Sequence, residues 1–176
     1  MTPTADAPRR LVLLRHAKAE HSGREVDEKR PLALAGRRQC AQISAALTAR
    51  DLVPELVLCS SAVRTRQTWD LVRTGLGGAS PEVEFSGVLY DAGVSEVLAL
   101  VQQVPDEVRT VLVVGHEPTM SAVAATLASS ASDKAAVAHV RAGTSTGTFS
   151  VLDVAGPWSG LARGAARLHT VVAPTH

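Results

Sequence analysis

The sequence is poor in aromatic residues and in cysteine. Aromatic side chains make up 3% of its 176 residues, which argues against a nucleic-acid surface built on base stacking. The two cysteines, Cys40 and Cys59, form neither a CxxC pair nor a disulfide framework, and two free thiols are typical of a reducing compartment. We interpret both as small buried hydrophobic residues in a cytoplasmic protein.

An excess of charge and long apolar runs are also missing. Lys and Arg number 18 against 17 Asp and Glu, so the net charge of +1 creates no overall field that would attract nucleic acid or an anionic membrane. No segment approaches the ~20 consecutive apolar residues that span a bilayer. The first ten residues, MTPTADAPRR, lack the apolar stretch of a signal peptide. Nucleic acid and membranes are therefore not expected partners, and any chemistry on anions must be local.

Strand-like and helix-like segments alternate along a chain of ordinary globular composition, with 45% hydrophobic and 20% charged residues. The length predicts a single domain, 1–176, in which 1–9 form a flexible N-terminal segment. Apolar runs predict strands at Leu11–Leu14, Glu55–Cys59, Val83–Leu89, Thr110–Val114, Thr148–Val154 and Arg167–Val172. Helices are predicted at Leu34–Arg50, Ala62–Thr74, Val94–Val104 and Thr119–Ser130. This alternation predicts parallel pairing and an α/β fold, specifically a three-layer α/β/α sandwich around a mostly parallel sheet.

Arginine and histidine side chains follow three of the predicted strands. Arg15 and His16 end the first strand, Arg64 opens the helix after the second, and His116 follows the fourth. Because ligands of such sheets gather at the carboxyl ends of the strands, we expect these four side chains to meet. Guanidinium groups match phosphate oxygens with paired donors, and a neutral imidazole can attack phosphorus. The pattern predicts phosphoryl transfer with His16 as the nucleophile and Arg15, Arg64 and His116 around the phosphate.

Four motifs carry a resemblance to a known family: LLRHAKAE, KRPLALAGRRQ, CSSAVRTRQT and VVGHEP, in this order. Together they resemble the histidine phosphatase superfamily, which has the phosphoglycerate mutase-like fold. Ala17 and Lys18 in the first motif are similar to the SixA-type phosphohistidine phosphatase branch. The resemblance extends from residue 11 to about residue 155 and implies that His16 accepts the phosphoryl group. We expect no metal or other cofactor, because the histidines form no HExxH motif or carboxylate-flanked pair.

No carboxylic acid stands in a recognisable proton-donor motif. The candidates are Asp91 and Glu96, and we interpret Asp91 as a helix cap and Glu96 as a residue on a solvated helix face. Cleavage of phosphohistidine releases an imidazole with a conjugate-acid pKa near ~6.5, which solvent can protonate, whereas an alkyl phosphate needs a donor. We therefore expect a phosphorylated protein as substrate. A phosphomonoesterase for a small phosphate ester, or a phosphate-binding module without turnover, are the alternatives.

The segment after the first strand is rich in cations. Lys18, Arg24, Lys29 and Arg30 are interpreted as a solvated loop, and contact of Lys18 or Arg30 with the substrate is the alternative. Ala33 stands where relatives often have a capping Thr or Ser, so the helix that follows starts without a good side-chain cap.

Overall fold

The computed structural model describes residues 7–21 and 23–175, and this part of the chain forms one six-stranded sheet with helices on both faces. The strands are β1 (Arg9–Arg15), β2 (Leu56–Ser60), β3 (Glu82–Ser86), β4 (Thr110–Gly115), β5 (Phe149–Val154) and β6 (Ala166–Val172). The helices are α1 (Leu34–Ala49), α2 (Val63–Thr74), α3 (Val94–Gln102), α4 (Thr119–Leu127) and α5 (Lys134–Ala142). Short 3₁₀ helices lie at Asp27–Lys29, Val88–Tyr90 and Trp158–Gly160. Of the N-terminal segment predicted to be flexible, residues 1–6 lie outside the described residues and Arg9 already belongs to β1.

The strand order is β3-β2-β4-β1-β5-β6. The strands β3, β2, β4 and β1 run parallel to their neighbours, whereas β5 is antiparallel to both β1 and β6. The predicted α/β sandwich with a mostly parallel sheet is confirmed. In this order β1 and β4 are central neighbours, although about a hundred residues separate them in sequence.

Alternate side chains of β1 enter two different hydrophobic cores, as the two-residue period of a strand requires. Leu11 and Leu13 pack in the core that α3, α4 and α5 cover. Val12 and Leu14 pack in the core on the other face, with buried residues of α1 and α2. All four side chains are almost completely buried, so both layers hold β1 in place.

Cys40 and Cys59 are buried and not bonded to each other, as predicted. Burial raises the pKa of each thiol to about 12, so neither is a thiolate at neutral pH. Within the described ranges, no helix has the length and the apolar character needed to cross a membrane.

Two of the predicted elements end too late, and one helix was missed. The predicted strand Val83–Leu89 ends at Ser86, because its partner β2 ends at the opposite residue, Ser60, and leaves no backbone to pair with. The predicted helix Thr119–Ser130 ends at Leu127, because the next two residues turn to pair with Ala166 of β6. The helix α5 was not predicted.

The start of α5 does have a signal in the sequence. Asp133 is the N-cap of α5, and its carboxylate accepts the capping hydrogen bond from the Ala136 N–H at 2.9 Å. Gly143 follows the last turn with a φ of +92°, a conformation that favours glycine. An Asp before and a Gly after an apolar, helix-forming stretch mark both ends of this helix.

Candidate active site

The parallel pairing of β1 and β4 brings two histidines together at the carboxyl end of the sheet. Arg15 lies opposite Gly115 in the ladder, so that His16 and His116 each follow the last paired residue of a strand. The His16 N–H donates to the Gly115 carbonyl at 3.0 Å, which continues the ladder into the site. The two imidazole rings lie 5.4 Å apart, measured between centroids.

The His16 side chain is buried, and one of its ring nitrogens has a fixed role. Nδ1 lies 2.7 Å from the Ala17 carbonyl oxygen, which can only accept, so the proton is on Nδ1 and the lone pair is on Nε2. Burial lowers the pKa of His16 to about 3, and the neighbouring charges of His116, Arg64 and Arg15 lower it further. His16 is therefore neutral at pH 7 and has a nucleophilic Nε2.

Arg15, the last residue of β1, is held by the loop that precedes β5. Its Nη1 donates to the Thr144 carbonyl at 2.5 Å. The Glu117 carboxylate accepts from the Thr144 N–H at 3.1 Å and from Ser121, so that it fixes the same loop. Burial lowers the pKa of Arg15, and the negative charge of Glu117 opposes this effect. Arg15 Nε is buried and has no partner among the described residues.

Arg64, the second residue of α2, is buried and bound along one edge by Asp27. Nη1 donates to the Asp27 main-chain carbonyl at 2.8 Å, and Nη2 donates to the Asp27 carboxylate at 3.0 Å. The Arg64 carbonyl accepts from the Thr68 hydroxyl, whose oxygen in turn accepts from the Ala17 N–H. Thr68 thereby joins α2 to the backbone next to His16. Arg64 Nε is buried and unpartnered within the described part of the chain.

Asp27 is the centre of a network that sequence reasoning missed. Its carboxylate also accepts from Tyr90 Oη at 2.6 Å and from Arg30 Nη2 at 3.0 Å. Hydrogen bonds from Tyr90, Arg30 and Arg64 hold the pKa of Asp27 well below its usual range. The group is therefore ionised at neutral pH, where it is the counter-ion of Arg64 and Arg30 and carries no proton to donate.

His116 contacts Ser60 on one side and Tyr90 on the other. Nε2 lies 2.8 Å from the Ser60 hydroxyl oxygen, and the Tyr90 ring meets the imidazole edge to face at 5.6 Å. Nδ1 is buried and has no hydrogen-bond partner among the residues described here. Burial and the charge of Arg64 lower the pKa of His116 to about 4, so the ring is neutral at pH 7.

Four buried nitrogens have no partner among the described residues: Nε of Arg15, Arg30 and Arg64, and Nδ1 of His116. Three of them belong to residues that the strand ends predict. Buried polar atoms in proteins are nearly always hydrogen-bonded, so each such atom calls for an explanation. Two guanidinium Nε–H groups and an imidazole beside the lone pair of His16 form a set that can bind an oxyanion next to a nucleophile. The structure thus brings together the four residues that the strand ends predict.

The other predicted candidates lie elsewhere. Glu96 accepts from the Gly93 N–H at 3.1 Å at the start of α3, and its side chain is exposed. Asp91 is exposed and does not cap α3, since the N-cap of that helix is Gly93. Lys18 is exposed, whereas Arg30 reaches the site through Asp27.

Two further sequence expectations concern metals and helix capping. Across residues 7–21 and 23–175, no group of three or more His, Cys, Asp or Glu side chains is placed to hold a metal ion. Ala33 is the N-cap of α1 and makes no side-chain capping bond, as its residue type predicts.

Comparison with known proteins identifies the relatives of this chain. No protein-family model matches it. A structure from Nakamurella multipartitia, assigned as the phosphohistidine phosphatase SixA, superposes with a TM-score of 0.83 at 37% identity and covers 96% of this chain and 97% of that one. A structure from Agrobacterium tumefaciens with the same assignment has a TM-score of 0.77 at 30% identity, covering 95% and 99%. An uncharacterised Mycobacterium tuberculosis protein is 39% identical over 156 residues, which are 88% of this chain and 96% of the relative.

With these relatives, the fold and the paired histidines define a hydrolase of the phosphatase class. The chain belongs to the histidine phosphatase superfamily and, within it, to the SixA-type branch. This membership confirms the resemblance that the four motifs carry.

Proposed function

We propose that this phosphatase removes the phosphoryl group from phosphohistidine in a protein, through a covalent phosphohistidine intermediate on His16. The observation that carries the proposal is the state of His16. Its Nδ1–H is fixed on the Ala17 carbonyl, its burial keeps it neutral, and its Nε2 lone pair lies among the unpartnered nitrogens of Arg15, Arg64 and His116.

In the first step, His16 Nε2 forms a bond to phosphorus while the bond from phosphorus to the substrate nitrogen breaks. The leaving imidazole takes its proton from solvent. Arg15 and Arg64 bind the phosphoryl oxygens and stabilise the charge that develops on them, and His116 adds a further N–H. Water then attacks the phosphorus of the intermediate, which releases inorganic phosphate and regenerates neutral His16.

The carboxylates around the site support phosphohistidine as the substrate. Asp27 is held ionised by three donors, and Glu96 is bound to the backbone of α3. Glu117 accepts bonds from Ser121 and Thr144 with both oxygens. An alkoxide leaving group needs an acid that none of these three carboxylates is placed to supply, whereas imidazole leaves without one.

The rim of the site supports a protein as the carrier of that phosphohistidine. Val26 and Val88 are 62% and 54% exposed, and each stands close in sequence to a partner of the Asp27–Tyr90 hydrogen bond. We take these two valines as the candidate contacts for a protein that carries the phosphohistidine.

Rapid quenching of the reaction tests the covalent step. We expect acid-labile, alkali-stable phosphate on His16 during turnover of a phosphohistidine peptide. His16→Ala should abolish both the label and the turnover. Phosphate on Cys59 instead of His16 would show that the mechanism is different.

Substrate choice is tested by turnover of the phosphohistidine peptide beside the matched phosphoserine peptide and small alkyl phosphates. The proposal expects the phosphohistidine peptide to be the best substrate. A chelator should leave its turnover unchanged. Activity that is lost on chelation and restored by zinc or magnesium would contradict the proposed chemistry.

A further inference from the structure

The Ser60 hydroxyl has few possible partners. Ser60 is the last residue of β2 and is completely buried. Its Oγ lies 2.8 Å from His116 Nε2 and accepts a long hydrogen bond, at 3.4 Å, from the Ala62 N–H. Within the described residues, Oγ has no other hydrogen-bond partner, so His116 Nε2 is the one acceptor within reach of the hydroxyl proton.

We propose that Ser60 is a positioning residue that fixes neutral His116 in the tautomer with its proton on Nδ1. If the proton were on Nε2 instead, the imidazole would donate to Oγ, and the buried Ser60 hydroxyl proton would have no acceptor. That tautomer leaves two buried groups unpaired, the hydroxyl proton and the Nδ1 lone pair, whereas the tautomer with Nδ1–H leaves only one, so the second is favoured. With Ser60 donating to Nε2, the hydroxyl proton and the Nε2 lone pair are both used, and the N–H on Nδ1 is left for a ligand.

This assignment gives the two histidines opposite roles. The Ala17 carbonyl puts the His16 proton on Nδ1 and leaves a lone pair on Nε2. The Ser60 hydroxyl occupies the His116 Nε2 lone pair and leaves an N–H on Nδ1, the atom that is buried and unpartnered. One ring then offers a nucleophile and the other a hydrogen-bond donor, 5.4 Å apart.

The catalytic consequence rests on the proposed function, whereas the tautomer itself does not. Without the hydroxyl, His116 populates the other tautomer, in which a lone pair on Nδ1 faces the phosphoryl oxygens. Removing a donor to a developing oxyanion typically lowers kcat about 10²- to 10³-fold. Ser60→Ala leaves His116 in place but no longer fixes its proton on Nδ1. We therefore expect a smaller loss in kcat, roughly 10- to 100-fold, with a small change in KM.

Nitrogen NMR of histidine-labelled protein tests the tautomer without any substrate. At pH 7 we expect the His116 signals, assigned by their loss in His116→Gln, to show a protonated Nδ1 and an unprotonated Nε2. A wild-type protein with the proton on Nε2 would overturn the proposal; the tautomer is read on the wild-type protein, and His116→Gln serves only to assign its signals.

Matched variants test whether the hydroxyl is the cause. Ser60→Ala should shift His116 towards the Nε2–H form and lower kcat, and Ser60→Thr, which keeps the hydroxyl, should restore both. Ser61→Ala is the control, because the Ser61 hydroxyl donates to Glu28 and not to His116. Unchanged His116 signals in Ser60→Ala would refute the role of Ser60.

The two proposals fail in different ways. A wild-type protein that shows the predicted tautomer but does not turn over the phosphohistidine peptide would contradict the proposed function alone. A protein that turns over this peptide but carries the His116 proton on Nε2 would contradict the role of Ser60 alone.

Discussion

The guanidinium of Arg64 is bound by Asp27 along one edge and is free along the other. The main-chain carbonyl and the carboxylate of Asp27 accept from Nη1 and Nη2, at 2.8 and 3.0 Å, whereas Nε has no partner among the described residues. A guanidinium that is fixed in this way keeps its unpaired donors in one orientation. Asp27 thus fixes the orientation of Arg64, which the proposed function requires for binding of the phosphoryl group.

Replacing Asp27 tests this arrangement. We expect kcat/KM to fall in the order wild type, Asp27→Asn, Asp27→Ala, by up to about 100-fold, because a displaced Arg64 no longer meets the transition-state oxygens. Glu28→Gln is the neighbouring control and should change kcat/KM little. Faster turnover by Asp27→Ala would mean that the carboxylate competes with phosphate for Arg64.

Replacing Arg64 by Lys keeps the charge and loses the planar set of donors. Because Lys cannot bind Asp27 and a phosphoryl group with fixed geometry, we expect a loss in kcat/KM of about 100-fold or more. Arg66→Lys is the matched control, since Arg66 lies over the Phe85 ring at 4.8 Å and takes no part in the Asp27 network. Equal losses in the two variants would show that Arg64 has no special role.

The carboxylates of Asp91 and Glu96 are expected to be dispensable for phosphohistidine turnover. Asp91→Asn and Glu96→Gln should each change kcat with a phosphohistidine peptide only modestly. Loss of a true general acid would lower the turnover of an alkyl phosphate about 10²- to 10⁴-fold. Efficient alkyl phosphate hydrolysis that collapses in either variant would favour a small-metabolite phosphatase.

The two active-site histidines make the protein sensitive to acid. Their pKa values in the folded state, about 3 for His16 and about 4 for His116, lie below the ordinary value of 6.5. Below pH 6.5 the unfolded chain therefore binds protons that the folded chain does not, and the free energy of unfolding falls as the pH falls. Each such proton contributes a slope of at most about 1.4 kcal/mol per pH unit.

Urea denaturation between pH 6.5 and 5.0 measures this slope. His16→Asn and His116→Asn should each flatten the dependence of the free energy of unfolding on pH, and the double variant should flatten it most. A wild-type slope in the double variant would show that these histidines are not the source of the acid sensitivity.

Gly36 allows the backbone after His16 to lie against α1. A Cβ at this position would stand 2.0 Å from the Lys18 carbonyl oxygen, which also accepts the Ala33 N–H. Ala would add up to about 1 kcal/mol of helix propensity, but such a clash with backbone forces the loop to move. We expect Gly36→Ala to lower the free energy of unfolding by about 1–3 kcal/mol and to reduce kcat.

Gly156→Ala is the control, because an added Cβ there meets no described atom within 4 Å. Calorimetry should show a lower Tm for Gly36→Ala than for Gly156→Ala. Equal Tm values would contradict the close approach of Lys18 to α1.

Much of the fold was predictable because the strands are apolar runs and the helices have a regular period. The four site residues Arg15, His16, Arg64 and His116 were predictable because each stands at or just beyond a strand end, where parallel strands converge. The single domain and the cytoplasmic location stay predictions.

The supporting residues could not be predicted in the same way. Asp27 begins a three-residue 3₁₀ helix and binds Arg64, 37 residues further along the chain, and the periodicity of the sequence does not predict such a contact. The prediction extended β3 to Leu89, whereas Tyr90 lies in a separate 3₁₀ helix. The contact of Tyr90 with His116 was therefore not predicted. Ser60 and Glu117 are ordinary in type, and their roles appear only from their partners in space.

The alternation of β1 between two cores has a consequence for how durable the enzyme is. If β1 shifted by one residue against β4, Leu11 and Leu13 would face the core that now holds Val12 and Leu14. The packing of both cores therefore disfavours such a shift. Core side chains remote from the substrate thus fix the distance between the two imidazole rings. Heat or denaturant should therefore reduce activity together with the fold, since the cores that keep β1 in register also hold the two histidines.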